Sequence, residues 1–266
     1  MQLAASYRSN RELLVNLTLR ELRSKYKRSF LGWTWSLVTP LATMAVYTIV
    51  FRLFFRASPP VGVHKINVFA LWLECALLPW TFFSTGIMSS IGSVVGNSSL
   101  ISKTYFDKRL LPGSAVLAAG YAHLIEMGVL TTILVCLTDW SALYFLPVLF
   151  VFIVILGLAA YGTGMLFGAL NVYFRDVEHF MAILLMIWMY LTPIIYPLSG
   201  TGVRKYATYI KINPMTEMTN CFRAVLYYGK LPTLVDFSYF TGWSLVMLAI
   251  GWTVFSHLQN GFAEEL

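Results

Sequence analysis

Charge is scarce in this sequence. Lys and Arg number 19 and Asp and Glu 12 among 266 residues, 12% in all, against roughly 25% in soluble domains. No long polar segment exists from which to build a separate soluble domain. With a mean hydropathy of +0.69, the chain reads as one polytopic membrane domain. Cysteine is nearly absent: Cys75, Cys136 and Cys221 form no C-x-x-C, so neither a disulfide framework nor a thiolate metal site is signalled. The four histidines lie far apart, and H-E-x-x-H, G-x-S-x-G and G-x-x-x-x-G-K-[ST] do not occur. That leaves no nucleophile with its base and no backbone cradle for nucleotide phosphates. Energised work by this chain draws on another chain or on an ion gradient. No inverted repeat of the kind found in gradient-driven carriers is visible, and no acidic cluster suits a metal-dependent transferase acting on polyprenyl carriers. The first 30 residues lack the apolar core of a cleavable signal peptide.

What little charge there is lies where a membrane topology would put it. The net +7 fits cytoplasmic anchoring and attraction to anionic head groups better than nucleic-acid binding. Residues 11–30 have the pattern of an amphipathic helix, with Leu14, Leu17, Leu22 and Tyr26 near one face and Arg20, Glu21, Arg23 and Lys27 on the others. Such a helix lies in the interface plane, as a plain anchor or as a cuff gripped by a partner. The all-α fold then expects six spans, at about 31–54, 67–92, 113–137, 143–170, 180–197 and 237–257, each near the 20 apolar residues that cross a bilayer. The seven basic residues before position 30 place the N-terminus inside, and six crossings return the C-terminus there. Arg204, Lys205, Lys211, Arg223 and Lys230 fall outside in this topology, against the general bias. Residues 199–235 are amphipathic but too short of apolar length to span. They read as re-entrant or interfacial helices with a turn at Asn213-Pro214. Residues 97–112 form a polar cytoplasmic loop, in which Ser98 or Ser99 is placed to cap a short helix.

Away from the ends of the expected spans, where Arg52 and His257 lie, the acids and bases are Glu74, His123 and Glu126. Glu74 lies some two turns from the outer end of the second, close enough to reach the interface. His123 and Glu126 are three apart, share a helix face, and read as a paired structural site or, alternatively, a proton relay in an ion-coupled flippase.

Six short motifs occur in a fixed order: Leu31-Gly32-Trp33-Thr34-Trp35-Ser36-Leu37 with Pro40; Leu77 to Ser84 (LLPWTFFS); Asn97 to Lys103 (NSSLISK) with Leu110-Leu111-Pro112; Asn171 to Val177 (NVYFRDV); Leu191 to Pro197 (LTPIIYP); and Asn213-Pro214-Met215 before Arg223. Together they resemble the ABC-2 type permeases of polysaccharide exporters, the family of O-antigen, teichoic acid, capsule and galactan export permeases, along nearly the whole chain. The resemblance implies a homodimer in the bacterial cytoplasmic (inner) membrane, paired with two copies of a separate ATPase that carries ATP and Mg. It implies export of a polyprenyl-diphosphate-linked glycan, with no catalysis and no cofactor on this chain. The loop between spans two and three would be the ATPase-docking element: Leu100, Ile101, Lys103, Tyr105, Phe106, Asp107, Lys108 and Arg109. Asp107 departs from the proline common there. The segment after Pro197 would close the outer end of a channel at the dimer interface, with spans one and five at a lateral gate.

A glycan channel needs aromatic faces for sugar CH groups. The candidates are Trp33, Trp35, Tyr47, Phe51, Trp188, Tyr190 and Tyr196, each of which would serve equally in an interfacial belt or a core. A diphosphate needs cations at the cytoplasmic entrance. Arg23, Lys27, Arg28 and Arg175 are placed for it, or for head-group anchoring.

Overall fold

The computed structural model describes residues 2–26, 30, 32–50, 60–63, 67–137, 140–198 and 204–266, and the described residues contain helices and turns but no strand. The basic N-terminal helix begins earlier than its charge pattern predicts: α1 runs Gln2–Tyr26. Lys27 and Arg28 lie outside the described residues. A single 3-10 turn, Gly32–Thr34, leads into α2, Trp35–Thr48, which carries Pro40 within it. Residue 31 and the outer part of the expected first span, 51–54, also lie outside the described residues.

Among the described residues, four helices are long and apolar enough to cross a membrane: α3 (Phe69–Val95), α5 (Leu110–Leu137), α6 (Leu146–Tyr173, extended by a 3-10 turn from Leu143) and α10 (Leu234–Leu258, extended through α11, Phe262–Glu265). The fifth expected span is shorter. Helix α7 covers Val177–Leu191 and stops ahead of Pro193, since a residue preceding proline is driven out of the helical region. Between α3 and α5 lies the short α4, Ser98–Lys103. After α7 come α8 (Ala207–Ile210) and α9 (Pro214–Leu226).

Helix α6 is the centre, touching α3, α5 and α10. Its glycines permit this. A Cβ on Gly162 would run into the backbone of α10, and one on Gly251 of α10 would run into Gly162. The two backbones therefore cross with no side chain between them, the close approach that small residues allow in lipid. Gly164 and Gly168 bring α6 equally close to Ser90 of α3. Of the four long helices, α3 is the least hydropathic and the most enclosed by protein. The two facts go together. A span surrounded by other helices meets little lipid, so it tolerates serines, a threonine and a carboxylate.

Two hydrophobic clusters result. The larger joins α3, α5, α6 and α9 through residues such as Trp72, Phe83, Phe152 and Phe222. The smaller ties Leu17 of α1 to Val94, Ile101, Leu111, Val172, Phe255 and Phe262. It locks α1, α4 and the C-terminal α11 into one layer at one end of the bundle.

Candidate functional site

The loop between α3 and α5 is built on Asn97. Its Nδ2 donates to the Ser93 carbonyl at 2.7 Å, and its Oδ1 accepts from the Arg20 guanidinium of α1. Asn97, not Ser98 or Ser99, occupies the position ahead of α4, and its side chain makes no cap bond to the helix. The serine hydroxyl of Ser102 instead donates back to Ser98 O at 3.1 Å. Ile101 is buried in the smaller cluster and Leu100 packs beside it. Asp107 Oδ1 accepts from both Arg109 N (3.1 Å) and Arg109 Nε (2.9 Å). This side-chain turn holds the chain end that enters α5, the work a proline's fixed φ would otherwise do. Arg109 lays its guanidinium over the Trp252 ring, 4.3 Å from the centroid. Its carbonyl accepts from Tyr161 Oη at 3.1 Å. Lys108 Nζ donates to Gln259 O at 2.7 Å and lies over Phe262; desolvation there lowers its pKa. Phe106 packs against the smaller cluster. Of the eight expected docking residues, then, Ile101, Phe106, Lys108 and Arg109 brace the loop from inside. Lys103 and Tyr105 face outward, and Tyr105 is 104% exposed.

At the other end of the bundle two of the motifs meet. Asn213 caps α9, its Oδ1 accepting from Met215 N at 3.0 Å, with Pro214 at the first helical position where proline's missing N–H costs nothing. The same oxygen accepts from Trp188 Nε1 at 2.8 Å, and Asn213 Nδ2 donates to Thr192 Oγ1 at 2.9 Å. One amide thus joins the start of α9 to the end of α7. Ten residues on, Arg223 is 5% exposed. It donates Nη1 to Pro193 O (2.7 Å), Nη2 to Ile194 O (2.6 Å) and Nε to Trp72 O (3.2 Å), with its guanidinium 3.5 Å from the Trp72 ring centroid. A planar fork fills this site as an ammonium could not. Because Arg223 is buried in protein, it is no exception to the charge bias of outer loops. Tyr227 completes the assembly: its carbonyl accepts from Val63 N at 3.0 Å and its hydroxyl donates to Pro60 O at 3.1 Å.

The aromatic candidates divide. Trp188 sits in a cluster with Trp80, Phe83 and Trp243, at 5.7–6.1 Å between centroids. Tyr47 is half-buried against the main core, and Tyr196 Oη donates to Tyr190 O at 3.1 Å. Trp35 and Tyr190 are exposed at 47% and 61%. The Trp33 side chain and Phe51 lie outside what is described. Among the cations, Arg23 and Arg175 are exposed.

Two expectations for intramembrane polar groups are corrected. Glu74 does not reach an interface; it is fully buried in α3, and neither oxygen has a hydrogen-bond partner among the described residues. His123 does not pair with Glu126. Its ring stacks on Phe82 at 4.8 Å and 11°, and neither nitrogen has a partner. Three residues of spacing put His123 and Glu126 on one helix, but Phe82 of α3 claims the imidazole face first.

The geometry defines a multi-pass helical membrane domain. A short braced loop stands between its first two long helices, and a clamped, non-spanning helix precedes its last. The chain belongs to the ABC-2 type transporter family, which it matches over residues 12–227. It is 30% identical to the O-antigen export system permease protein RfbA of Klebsiella pneumoniae over 259 residues, 96% of this chain and 95% of that protein. It is 28% identical to RfbA of Myxococcus xanthus over 96% of both chains. The polysialic acid transport protein KpsM of Escherichia coli is 24% identical over 88% of this chain and 89% of its own.

Proposed function

We propose that this chain is the permease subunit of an ATP-driven exporter that moves a polyprenyl-diphosphate-linked polysaccharide out across the bacterial cytoplasmic membrane. The observation that carries the reading is its likeness, along most of its length, to permeases named for O-antigen export and to a protein named for polysialic acid transport. A homodimer binds two copies of a separate ATPase subunit, which holds ATP and Mg. Helices α2 and α7 complete six spans, with both termini cytoplasmic. Each presents exposed apolar side chains: Trp35, Leu41 and Val46 on α2; Phe180, Ile183, Ile187 and Tyr190 on α7. These surfaces suit a second copy and a channel between copies, where Trp35 and Tyr190 offer rings to sugars. Helices α8 and α9 form the outer re-entrant pair. Arg175 serves the diphosphate at the entrance, with Lys27 and Arg28.

The ATPase docks on the outward side of α4, at Lys103 and Tyr105, while Lys108 and Arg109 transmit its movement to α10 and α11. Charge reversal at Lys103, or Tyr105→Pro, uncouples ATP hydrolysis from export in cells and in reconstituted vesicles, leaving the amount of folded permease unchanged. Normal export by both variants would contradict the docking assignment.

A further inference from the structure

A long groove runs along the outside of the bundle, enclosing about 1420 Å³ between α1, α5 and α6. On α5 it is lined by Gly113, Leu117, Gly120, Tyr121 and Leu124, a run at helical spacing, and on α6 by Val154, Gly157, Leu158 and Tyr161. The floor is Phe82, held between glycines. A Cβ on Gly120 or Gly157 would come within 3.4 or 3.6 Å of its ring, so both helices lie low there and leave a trough. One wall is α1, through Val15, Leu19 and Leu22.

The lining is apolar with two exceptions that matter. Arg23 of α1 and Arg109 both line the groove, and among the described residues no carboxylate does. Arg109 is partly neutralised by Asp107 and lies against Trp252, so Arg23, which is exposed, is the principal cation. The lining of α5 extends from Leu110 to Ile125, about 23 Å at the helical rise of 1.5 Å per residue. A bilayer with its head groups is roughly 40–45 Å thick, so the groove is about one leaflet deep. Apolar walls of one leaflet's depth with uncompensated positive charge match a double-chain lipid with an anionic head.

We propose that the α1–α5–α6 groove binds one anionic glycerophospholipid, its acyl chains along Leu117, Tyr121 and Val154 and its phosphate at Arg23. The lipid fills the space between α1 and the bundle and thereby fixes the angle at which the basic helix leaves it. Of α2 the groove takes in Ser36 and none of the candidate aromatic rings, and no residue of α7 lines it.

The test is lipid retention by the full chain, purified in detergent with its co-purifying subunits and read by native mass spectrometry. Phosphatidylglycerol and phosphatidylcholine with identical acyl chains are offered at equal concentration. The wild type retains phosphatidylglycerol at least tenfold better. Arg23→Gln reduces that preference severalfold. Leu117→Trp and Val154→Trp, which fill the trough, each lower retention of both lipids, whereas Val246→Trp on the exposed side of α10 does not. Equal retention of the two lipids, or an unchanged preference in Arg23→Gln, would overturn the proposal. So would disulfide cross-linking of two copies through Leu117→Cys, which would make the groove a subunit interface. Displacement of phosphatidylglycerol by an equimolar polyprenyl diphosphate would overturn it as well, by making the groove a substrate site.

Discussion

The two ends of the bundle handle their motif residues in opposite ways. At one end Asn213 and Arg223 are spent inside the protein, on backbone carbonyls, an indole N–H and a threonine hydroxyl. At the other, the loop from Asn97 to Arg109 is anchored by Ile101, Lys108 and Arg109 but turns Lys103 and Tyr105 to solvent. A polar motif at a buried site holds its own fold together. A polar motif with its apolar ring fully exposed invites something outside the chain. The clamp is therefore a place where mutation reduces stability first and, in the exporter reading, the loop is a place where mutation reduces coupling first.

The sharpest break of this contrast is Arg223→Met. It leaves three carbonyls without their donor and, at about 1.5 kcal/mol or more per charged hydrogen bond, costs roughly 4.5 kcal/mol or more. Thermal unfolding in detergent shows a large fall in Tm, and Arg223→Lys recovers only part of it because an ammonium cannot reproduce the fork. Next comes Asn213→Ala, which removes a helix cap and the partners of Trp188 and Thr192. A cost of about 1–2 kcal/mol appears as a smaller fall in Tm. Asp107→Ala has a local effect of about 1 kcal/mol. Hydrogen exchange quickens at the amides of residues 107–110 while the global Tm hardly moves. Smallest of all in stability are Lys103→Glu and Tyr105→Ala, which leave Tm unchanged. In the exporter reading they lower glycan export about tenfold and leave ATP hydrolysis running. A large loss of Tm in the loop variants, or none in Arg223→Met, would erase the distinction between the two ends.

Much of this was legible in the sequence, for physical reasons that can be named. The membrane class follows from charge content, whereas the fifth span, expected to reach residue 197, stops at Leu191 because Pro193 already breaks it. The turn at Asn213-Pro214 is legible in the dipeptide itself, and the structure adds that Asn213 caps α9. Other features were hidden because they depend on which helices become neighbours. Asn213 meets Trp188 across 25 residues, and Lys108 meets Gln259 across 151. Nothing local signals either. Glu74 looked close enough to the end of its helix to reach water, yet α5, α6 and α9 enclose α3 on all sides. The expected serine cap of α4 failed for a related reason: Asn97 takes that position while its side chain is drawn to Ser93 and to Arg20 of α1. Arg223 carried a signal that was open to another reading. A lone arginine in an otherwise apolar amphipathic segment can mark a buried cross-link as well as an outer loop.

The account rests on this chain working as the membrane half of an ATP-driven pair. The most direct measurement is to tag the chain, extract it gently from its native membrane and identify and quantify what comes with it. The account predicts an ATPase with a phosphate loop, present in equal amount and lost when Lys103 and Tyr105 are both replaced by Glu. A stable chain recovered with no such ATPase would contradict it.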